Sequence, residues 1–242
     1  MQRIWQLAVL ALLAMVVAPA KAEVLTFNFT SDHCSGGCVD GSAIMGTITV
    51  TDAGTDTVTV HVELNSGFSF IDSGAGAGAS FFFRLLGDPT ITYSGITSGW
   101  TIPDEILPAG SGQQAPGTYA GDGLSGEFEY ALACSPPGAA GGGCGPGASG
   151  GGKLPPLDFT VTAAGLTAAD FNDPGASGSP FAADVISSNG NTGLIDASLC
   201  TDCGTTSTSS GDTPEPASMI LLGTVFIGVT GLLRKRSAQV KR

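Results

Sequence analysis

The sequence predicts an all-β fold, a β-sandwich or jelly-roll-like domain with Gly-rich loops, for the central part of the chain. The first observation is a period of two, because every second side chain in residues 56–64 is apolar. The second is an abundance of Ser, Thr and Gly, with 37 glycines in 242 residues, and turn signals at about every 8–12 residues. The third is that residues 23–213 contain no long apolar stripe with a helical period.

The clearest predicted element is a β-hairpin made of residues 47–51 and 56–64, joined by a turn-rich loop at residues 52–56. One face of its second strand would carry His61 and Glu63 toward solvent. The other face would be buried and carries Val58, Val60, Val62 and Leu64. Further strands are predicted at residues 80–86, 90–93, 126–133, 157–163 and 181–186, and a short helical turn at residues 166–171. The predicted core includes Phe81, Phe83, Phe128, Tyr130 and Phe159.

Two segments have the composition of connecting chain rather than of folded structure. Residues 135–156 contain nine Gly and five Pro, so they bury too little apolar surface to offset the loss of chain entropy, and we expect a flexible loop. Residues 205–213 are almost entirely Thr, Ser, Gly and Asp, and they are predicted to be a polar linker. The folded domain is therefore expected to span residues 23–204.

The N-terminus has the three parts of a secretory signal peptide. Arg3 makes the first residues positive, residues 7–17 form an apolar run, and the sequence Ala20-Lys21-Ala22 has small residues at both peptidase subsites. The apolar run is short for a membrane span, which needs about 20 residues. Residues 1–22 are predicted to be removed, so that the mature chain begins at Glu23.

The predicted exported part is strongly acidic. All 21 Asp and Glu residues lie between Glu23 and Glu215, and only Arg84 and Lys153 oppose them, which gives a formal charge of −19. Nucleic-acid binding requires clustered Lys and Arg to displace counterions from phosphates, so this class of partner is excluded. A strongly acidic surface favours solubility and repulsion from anionic lipid.

The cysteines predict disulfides, because all of them lie in the part that would leave the cytoplasm. Their spacing suggests three short loops, closed by the pairs Cys34–Cys38, Cys134–Cys144 and Cys200–Cys203, although six cysteines allow 15 pairings. A zinc site of the first and third pairs with His33 is disfavoured, since zinc motifs usually place such pairs within about 12–20 residues. A redox role for the third pair is disfavoured because no βαβ pattern surrounds it. No metal and no cofactor is predicted.

The C-terminus has a three-part tail. The motif Pro214, Glu215 and Pro216 comes first, and residues 217–233 follow as an uncharged apolar run of 17 residues, close to the lower limit for a membrane helix. The basic cluster Arg234, Lys235 and Arg236 comes next, and by the positive-inside rule it stays cytoplasmic with residues 237–242. The protein is thus expected to be anchored in the inner membrane, at least as a precursor.

This tail resembles the PEP-CTERM sorting domain, also catalogued under the misleading label "ice-binding protein C-terminal domain". The resemblance covers residues 213–236, and the six-residue extension after Arg236 is longer than is usual. It implies a Gram-negative host that makes exopolysaccharide and recognition of residues 214–216 by exosortase, an integral-membrane cysteine protease or transpeptidase. It also implies delivery to the cell surface or extracellular matrix, and it says nothing about activity.

Catalytic sites receive little support from the sequence. Glu127 and Glu129 would share a strand face about 6–7 Å apart, a separation that glycosidases use, but a solvent-facing role is favoured. His33 and His61 are the only histidines, and no G-x-S-x-G motif accompanies them, so a Ser-His-Asp triad is disfavoured.

Two binding hypotheses complete the list of candidates. Asp52 and Asp56 could ligate calcium, although a turn role fits their spacing better. Trp100, Tyr93 and Tyr119 could form a platform that stacks on sugars, although core packing is the favoured alternative. We expect a non-catalytic, exosortase-sorted envelope protein associated with exopolysaccharide, with a carbohydrate-binding module or a glycan-acting enzyme as alternatives.

Overall fold

The structure is a computed structural model that describes residues 22–39, 43–76, 78–106, 110–120, 127–134, 144, 152–175 and 178–201. The chain divides into two units, residues 1–200 and 201–242. Residues 1–21 of the predicted signal peptide, the predicted linker and the whole sorting tail lie outside the described residues. No helix in the described ranges is long and apolar enough to cross a membrane.

The described residues form fourteen strands and one short 3₁₀ helix, so the predicted all-β class is confirmed. The first seven strands are β1 (Val24–Asp32), β2 (Gly46–Gly54), β3 (Thr57–Leu64), β4 (Phe68–Phe70), β5 (Phe81–Phe83), β6 (Ile91–Ser94) and β7 (Trp100–Thr101). The others are β8 (Gln113–Gln114), β9 (Tyr119–Ala120), β10 (Glu127–Phe128), β11 (Tyr130–Cys134), β12 (Leu157–Thr162), β13 (Phe181–Ser187) and β14 (Thr192–Leu199), and the 3₁₀ helix spans Ala168–Phe171.

Twelve of these strands belong to one continuous sheet. Its order is β7-β11-β5-β13-β14-β1-β2-β3-β12-β6-β8, with β4 paired to β13, while β9 and β10 form a separate pair. The chain ends of the described domain meet in the middle of the sheet, where β1 pairs with β14 on one side and β2 on the other.

The sheet is strongly curled, as a half-barrel. Strands β5 and β12 are six places apart in the sheet order, which in a flat sheet is about 29 Å at about 4.8 Å per strand. The rings of Phe81 and Phe159 on these strands nevertheless lie 5.8 Å apart, and those of Phe83 and Phe159 lie 5.7 Å apart. The concave face therefore closes on itself around the aromatic core.

The predicted sandwich of two sheets is thus replaced by one curled sheet. The physical reason is that both arrangements bury one face of each strand against an opposite strand, so they impose the same alternation on the sequence. The five predicted core aromatics are all buried: Phe81, Phe83, Phe128, Tyr130 and Phe159.

The predicted hairpin is confirmed as β2 and β3. Val50 pairs with Val60 and Ile48 with Val62, and the apolar side chains of β3 are buried while His61 and Glu63 are exposed. The connection is shorter than predicted, because β2 continues to Gly54 through a bulge and leaves only a two-residue turn.

A second, smaller core covers part of the convex face. Phe82 lies between Phe81 and Phe83 on β5 and therefore points to the opposite side of the sheet. It packs with Ala131, Ala182 and Leu194 of neighbouring strands, and Ala79, Tyr119 and Phe128 complete this cluster. Strands β5, β11, β13 and β14 are consequently buried on both faces.

Three predicted segments differ in detail from the structure. The strand expected at residues 80–86 is limited to Phe81–Phe83. The strand expected at residues 126–133 is divided at Glu129, so that β10 pairs with β9 while β11 joins the large sheet. The end of the segment predicted as a flexible loop is held in place, because Lys153 forms a bridge with Phe70. Residues 135–143 and 145–151 of that segment lie outside the described residues.

Candidate functional sites

Two of the three predicted disulfides are present, Cys34–Cys38 and Cys134–Cys144, each with Cα atoms 5.5 Å apart. Cys200 is also disulfide-bonded, and Cys203, its predicted partner, lies outside the described residues. The first disulfide closes a loop next to the end of β1, and the second joins the end of β11 to Cys144.

The loop of the first disulfide brings Asp32 close to Cys34 and Cys38. Because both sulfurs are bonded to each other, they cannot act as thiolate ligands. The Asp32 carboxylate instead accepts hydrogen bonds from the backbone N–H groups of Cys34, Cys38 and Val39 at 2.9, 2.6 and 3.1 Å. The geometry is that of a disulfide-closed loop clamped by a carboxylate, and it does not support the zinc hypothesis.

The two histidines contact carboxylates rather than hydroxyl nucleophiles. Nδ1 of His61 lies 2.6 Å from Oδ1 of Asp158, and its Nε2 lies 3.9 Å from Glu63, with all three side chains about half exposed. Nε2 of His33 lies 3.4 Å from Oδ2 of Asp196. Ser179 donates to that same oxygen at 2.9 Å, so the carboxylate stands between hydroxyl and imidazole. A catalytic triad requires the imidazole in the middle.

Glu129 forms a buried ion pair at the bend between β10 and β11. Its Oε1 lies 3.2 Å from Nη1 of Arg84, which is 4% exposed and has its guanidinium 4.7 Å from the centre of the Phe128 ring. Burial raises the pKa of Glu129, Arg84 opposes that rise, and Asp88 and Asp173 add to it. The side chain of Glu127 lies outside the described residues, so the predicted separation of the two carboxylates stays a prediction.

The hypothesis that Tyr93, Trp100 and Tyr119 form a sugar-binding platform is wrong. Tyr93, Trp100 and Tyr119 are 5%, 7% and 5% exposed, so their faces are not available to a ligand. Trp100 packs edge-on against Phe70, with ring centres 5.0 Å apart. Burial of aromatic area in the curled core is the reason, and it is the alternative that the sequence favoured.

Two of the three buried tyrosines, Tyr93 and Tyr119, bind the fully buried side chain of Gln114 through their hydroxyl groups. Tyr93 donates to Oε1 of Gln114 at 2.8 Å, and Nε2 of Gln114 donates to the Tyr119 oxygen at 2.8 Å and to the Pro103 carbonyl at 2.9 Å. Burial and the nearby Asp104 raise the pKa of Tyr119 to about 12. This network satisfies the polar ends of the rings and fixes β6, β8 and β9 to one another.

Asp52 and Asp56 bind backbone amides across the end of the β2–β3 hairpin. Asp52 accepts from the N–H groups of Glu23 at 3.1 Å and Ala168 at 2.7 Å, and Asp56 accepts from Gly165 at 2.8 Å. Asp56 itself has φ = 59°, a turn conformation that Asp tolerates. These contacts favour the turn role over the calcium hypothesis.

The comparisons with known proteins decide the nature of the tail. Residues 212–236 match the family model described as the PEP-CTERM protein-sorting motif. This chain carries a PEP-CTERM sorting motif. The match contains the predicted motif at residues 214–216, the apolar run and the basic cluster. No curated protein and no solved structure matches the chain.

The PEP-CTERM motif supports an exported protein that exosortase processes at the membrane. It occupies about a tenth of the chain and contains none of the described residues, so the β domain carries its own features independently of the sorting signal. The functional residues of sorting are local in sequence, which is why they could be predicted without a structure.

The sequence did not lead us to predict a buried position for Asp184. Asp184, in the middle of β13, is fully buried, and it accepts hydrogen bonds from the Ser73 N–H at 2.7 Å and the Ser73 hydroxyl at 2.8 Å. Burial raises its pKa to about 7, although both hydrogen bonds from Ser73 oppose that rise, and Asp72 adds to it. The available signal was an Asp inside the apolar sequence of residues 181–186.

Proposed function

We propose that this protein is a non-catalytic component of the exopolysaccharide-containing matrix of a Gram-negative bacterium, delivered there by exosortase. The observation that carries the proposal is the PEP-CTERM motif at residues 212–236. In this proposal residues 1–22 direct export, the β domain lies outside the inner membrane, and residues 217–233 hold the precursor in the membrane until the tail is processed. The mature protein then resides at the cell surface or in the matrix.

The charge of the domain supports a soluble extracellular role. Arg84 is buried in its ion pair with Glu129, and the Nζ of Lys153 donates to the Ser98 carbonyl at 2.8 Å. Both basic residues of the exported part therefore have partners within the domain, and the surface carries an excess of carboxylates. Such a surface favours solubility and opposes adhesion to anionic lipid.

Part of the convex face of the sheet supports contact with neutral polysaccharide. Across β2, β3, β12 and β6, the residues Thr51, Thr59, Thr160 and Ser94 lie side by side in one row. Hydroxyl groups both donate and accept hydrogen bonds, as the hydroxyls of sugars do. This row gives the domain an uncharged polar strip on the face of these strands that points away from the core.

Fractionation of cells with and without exosortase tests the proposal. In the presence of exosortase we expect the β domain in the matrix fraction, with a mass that lacks the tail. In its absence we expect the full-length protein to remain in the membrane fraction. Recovery of the protein from the cytoplasm of both strains would contradict the proposal.

Replacing Glu215 by Ala should block processing of the tail. The two flanking prolines hold residues 213–215 in an extended conformation, and Glu215 supplies the only charge of the recognition motif. We expect cells with the variant to accumulate the uncleaved, membrane-bound form, as measured by intact mass. Asp202→Ala is the matched control, because it removes an acidic residue upstream of the motif, and it should be processed normally. Normal processing of Glu215→Ala would show that residues 214–216 are an ordinary linker.

A further inference from the structure

Glu23, the residue before β1, is held by both the backbone and the side chain of Asp52. The carbonyl of Glu23 accepts from the Asp52 N–H at 2.9 Å, while the N–H of Glu23 donates to Oδ2 of Asp52 at 3.1 Å. The other oxygen of Asp52 accepts from the N–H of Ala168 at 2.7 Å. One carboxylate at the end of β2 therefore joins the residue before β1 to the first residue of the 3₁₀ helix.

This contact lies at the bond where the signal peptide is predicted to be cut. Ala22 lines a shallow pocket that is also lined by Asp52, Asp56 and Thr167. Cleavage after Ala22 adds one water across the peptide bond, so that the carboxylate remains on the departing signal peptide and the amine on Glu23. At neutral pH that amine takes up a proton and becomes an ammonium group.

We propose that signal-peptide removal creates an ion pair between the new α-ammonium group of Glu23 and Asp52, and that this pair fixes the start of β1 in the mature protein. In the precursor the same nitrogen is a neutral amide that donates to the Asp52 carboxylate. In the mature chain the donor also carries a positive charge, so attraction between opposite charges is added to the hydrogen bond. Removal of the signal peptide thereby changes the charge on the Glu23 nitrogen, the atom that binds Asp52 at the start of the folded domain.

The electrostatics around this site favour the positive charge. The Asp52 carboxylate contacts the nitrogen directly, and Asp56 lines the same pocket. Asp170 binds the N–H of Thr167, which also lines the pocket, and Glu23 carries a carboxylate of its own. No Lys or Arg lines the described pocket. We expect these negative charges to hold the pKa of the ammonium group above its ordinary value of about 7.7–8.0.

The sign of the pH dependence follows from that direction. A basic group whose pKa is higher in the folded than in the unfolded state contributes stability that is fully present below its ordinary pKa. The contribution is lost as the pH rises through the pKa of the folded state. The ion pair should therefore stabilise the mature protein at pH 6 and have no effect at pH 10.

The experiment compares four forms of the mature chain that begins at Glu23, with a free or an acetylated α-amine and with Asp or Asn at position 52. Acetylation removes the charge and leaves the chain otherwise unchanged. We expect acetylation to lower the Tm of the wild-type sequence by about 1–3 °C at pH 6, the range for an exposed ion pair in a domain of this size. We expect no such loss at pH 10 or in Asp52→Asn. Glu63→Gln is the control, since it removes an exposed carboxylate elsewhere on the hairpin and should keep the full effect of acetylation.

Three results would overturn the inference. The first is a mature protein whose intact mass shows that it begins at another residue. The second is an equal effect of acetylation in wild type and Asp52→Asn. The third is a pKa of the wild-type α-amine, measured by NMR titration, that lies at or below its ordinary value. This measurement also decides the question if Asp52→Asn does not fold. The inference goes beyond the proposed function, because it depends on cleavage after Ala22 and not on the matrix role that the fractionation tests.

Discussion

Carboxylates in this domain find their partners mainly among backbone N–H groups. Asp32 binds three of them, and Asp52 binds two. Glu105 accepts from the N–H groups of Gly110 and Gly112, and these bonds lower its pKa. With only two basic residues opposing 21 acidic ones in residues 23–216, ion pairs can satisfy few carboxylates, and turn and loop amides do so instead. The many acidic side chains therefore also stabilise loops, because they accept hydrogen bonds from the loops' backbone N–H groups.

Asp184 differs from these carboxylates because it is fully buried, and burial raises its pKa to about 7. The ordinary pKa of Asp is about 3.9, so the folded state holds a proton between about pH 4 and 7 that the unfolded state has released. The stability that this group contributes is fully present below about pH 4 and is lost as the pH rises toward 7, by about 4 kcal/mol at most.

We expect Asp184→Asn to remove this loss, so that the variant gains stability over wild type as the pH rises from 4 to 7. The amide keeps the shape of the carboxyl group, and its oxygen can accept from the Ser73 N–H while its NH₂ donates to the Ser73 hydroxyl. Urea unfolding at several pH values measures the difference. Ser73→Ala is the companion variant: it removes a hydrogen bond that lowers the pKa of Asp184, so it should steepen the pH dependence. A constant difference between Asp184→Asn and wild type across this range would contradict the assignment.

Strand β5 connects the two cores of the sheet. Phe83 on the concave side has its ring centre within 5.2–6.4 Å of six other aromatic rings, including those of Phe159 on β12 and Tyr130 on β11. Phe82 on the convex side pairs with Phe128 at 5.8 Å. Of the three consecutive phenylalanines, Phe81 and Phe83 thus stabilise the curled sheet from its concave side. Phe82 packs against β9 and β10 on the convex side.

Phe83→Ala should destabilise the domain by about 3–5 kcal/mol, the usual cost of removing a buried Phe and leaving a cavity. The loss should appear in one cooperative transition, because the rings around Phe83 come from strands at both ends of the sheet order. Denaturant unfolding followed by circular dichroism measures it. Leu86→Ala is the control, since Leu86 is 52% exposed and its removal should change the stability by less than about 0.5 kcal/mol. A loss below 1 kcal/mol in Phe83→Ala would contradict the central position of this ring.

The element that was predicted in most detail has one wet face, although β5, β11 and β13, which are buried on both faces, were also predicted as strands. The β2–β3 hairpin alternates cleanly because only one of its faces is buried. Strand β14 shows no alternation because residues 193–197 are buried in succession, and it was not predicted. Strand β1 was also missed, although Leu25, Phe27 and Phe29 alternate with polar residues and gave the necessary signal.

Whether a functional site could be predicted depends on how far apart its residues lie in the sequence. The sorting motif and the short disulfide loops are local in sequence, so the motif could be predicted by its resemblance to a known family and two disulfide pairs by their spacing. The contact of Asp52 with Glu23 joins residues 29 positions apart, and that of Asp184 with Ser73 joins residues 111 apart. Such contacts depend on sheet register and on curling, which the alternation pattern of a single strand does not determine.

For the molecule as a whole, the charge balance should control stability through salt. Residues 23–216 carry a formal charge of −19 in about 190 residues, and repulsion among like charges opposes the compact state. The pair of Arg84 with Glu129 is mostly buried and therefore poorly screened. The proposed pair of the Glu23 ammonium group with Asp52 is exposed, so salt weakens it, but a single exposed pair contributes little against the repulsion among so many like charges. Repulsion is consequently the larger salt-sensitive contribution.

We expect the Tm of the mature protein at pH 7.5 to rise by a few degrees between 10 and 150 mM NaCl, as the screening length falls from about 30 Å to about 8 Å. Differential scanning calorimetry measures the shift. Choline chloride at equal ionic strength is the control, because a bulky cation screens charge but does not enter a carboxylate site, and it should give the same rise. Calcium chloride at micromolar concentration should have no effect, since Asp52 and Asp56 already bind backbone amides. A Tm that falls with NaCl would mean that attractive pairs outweigh the repulsion, and a rise at micromolar calcium would restore a specific ion site at the hairpin end.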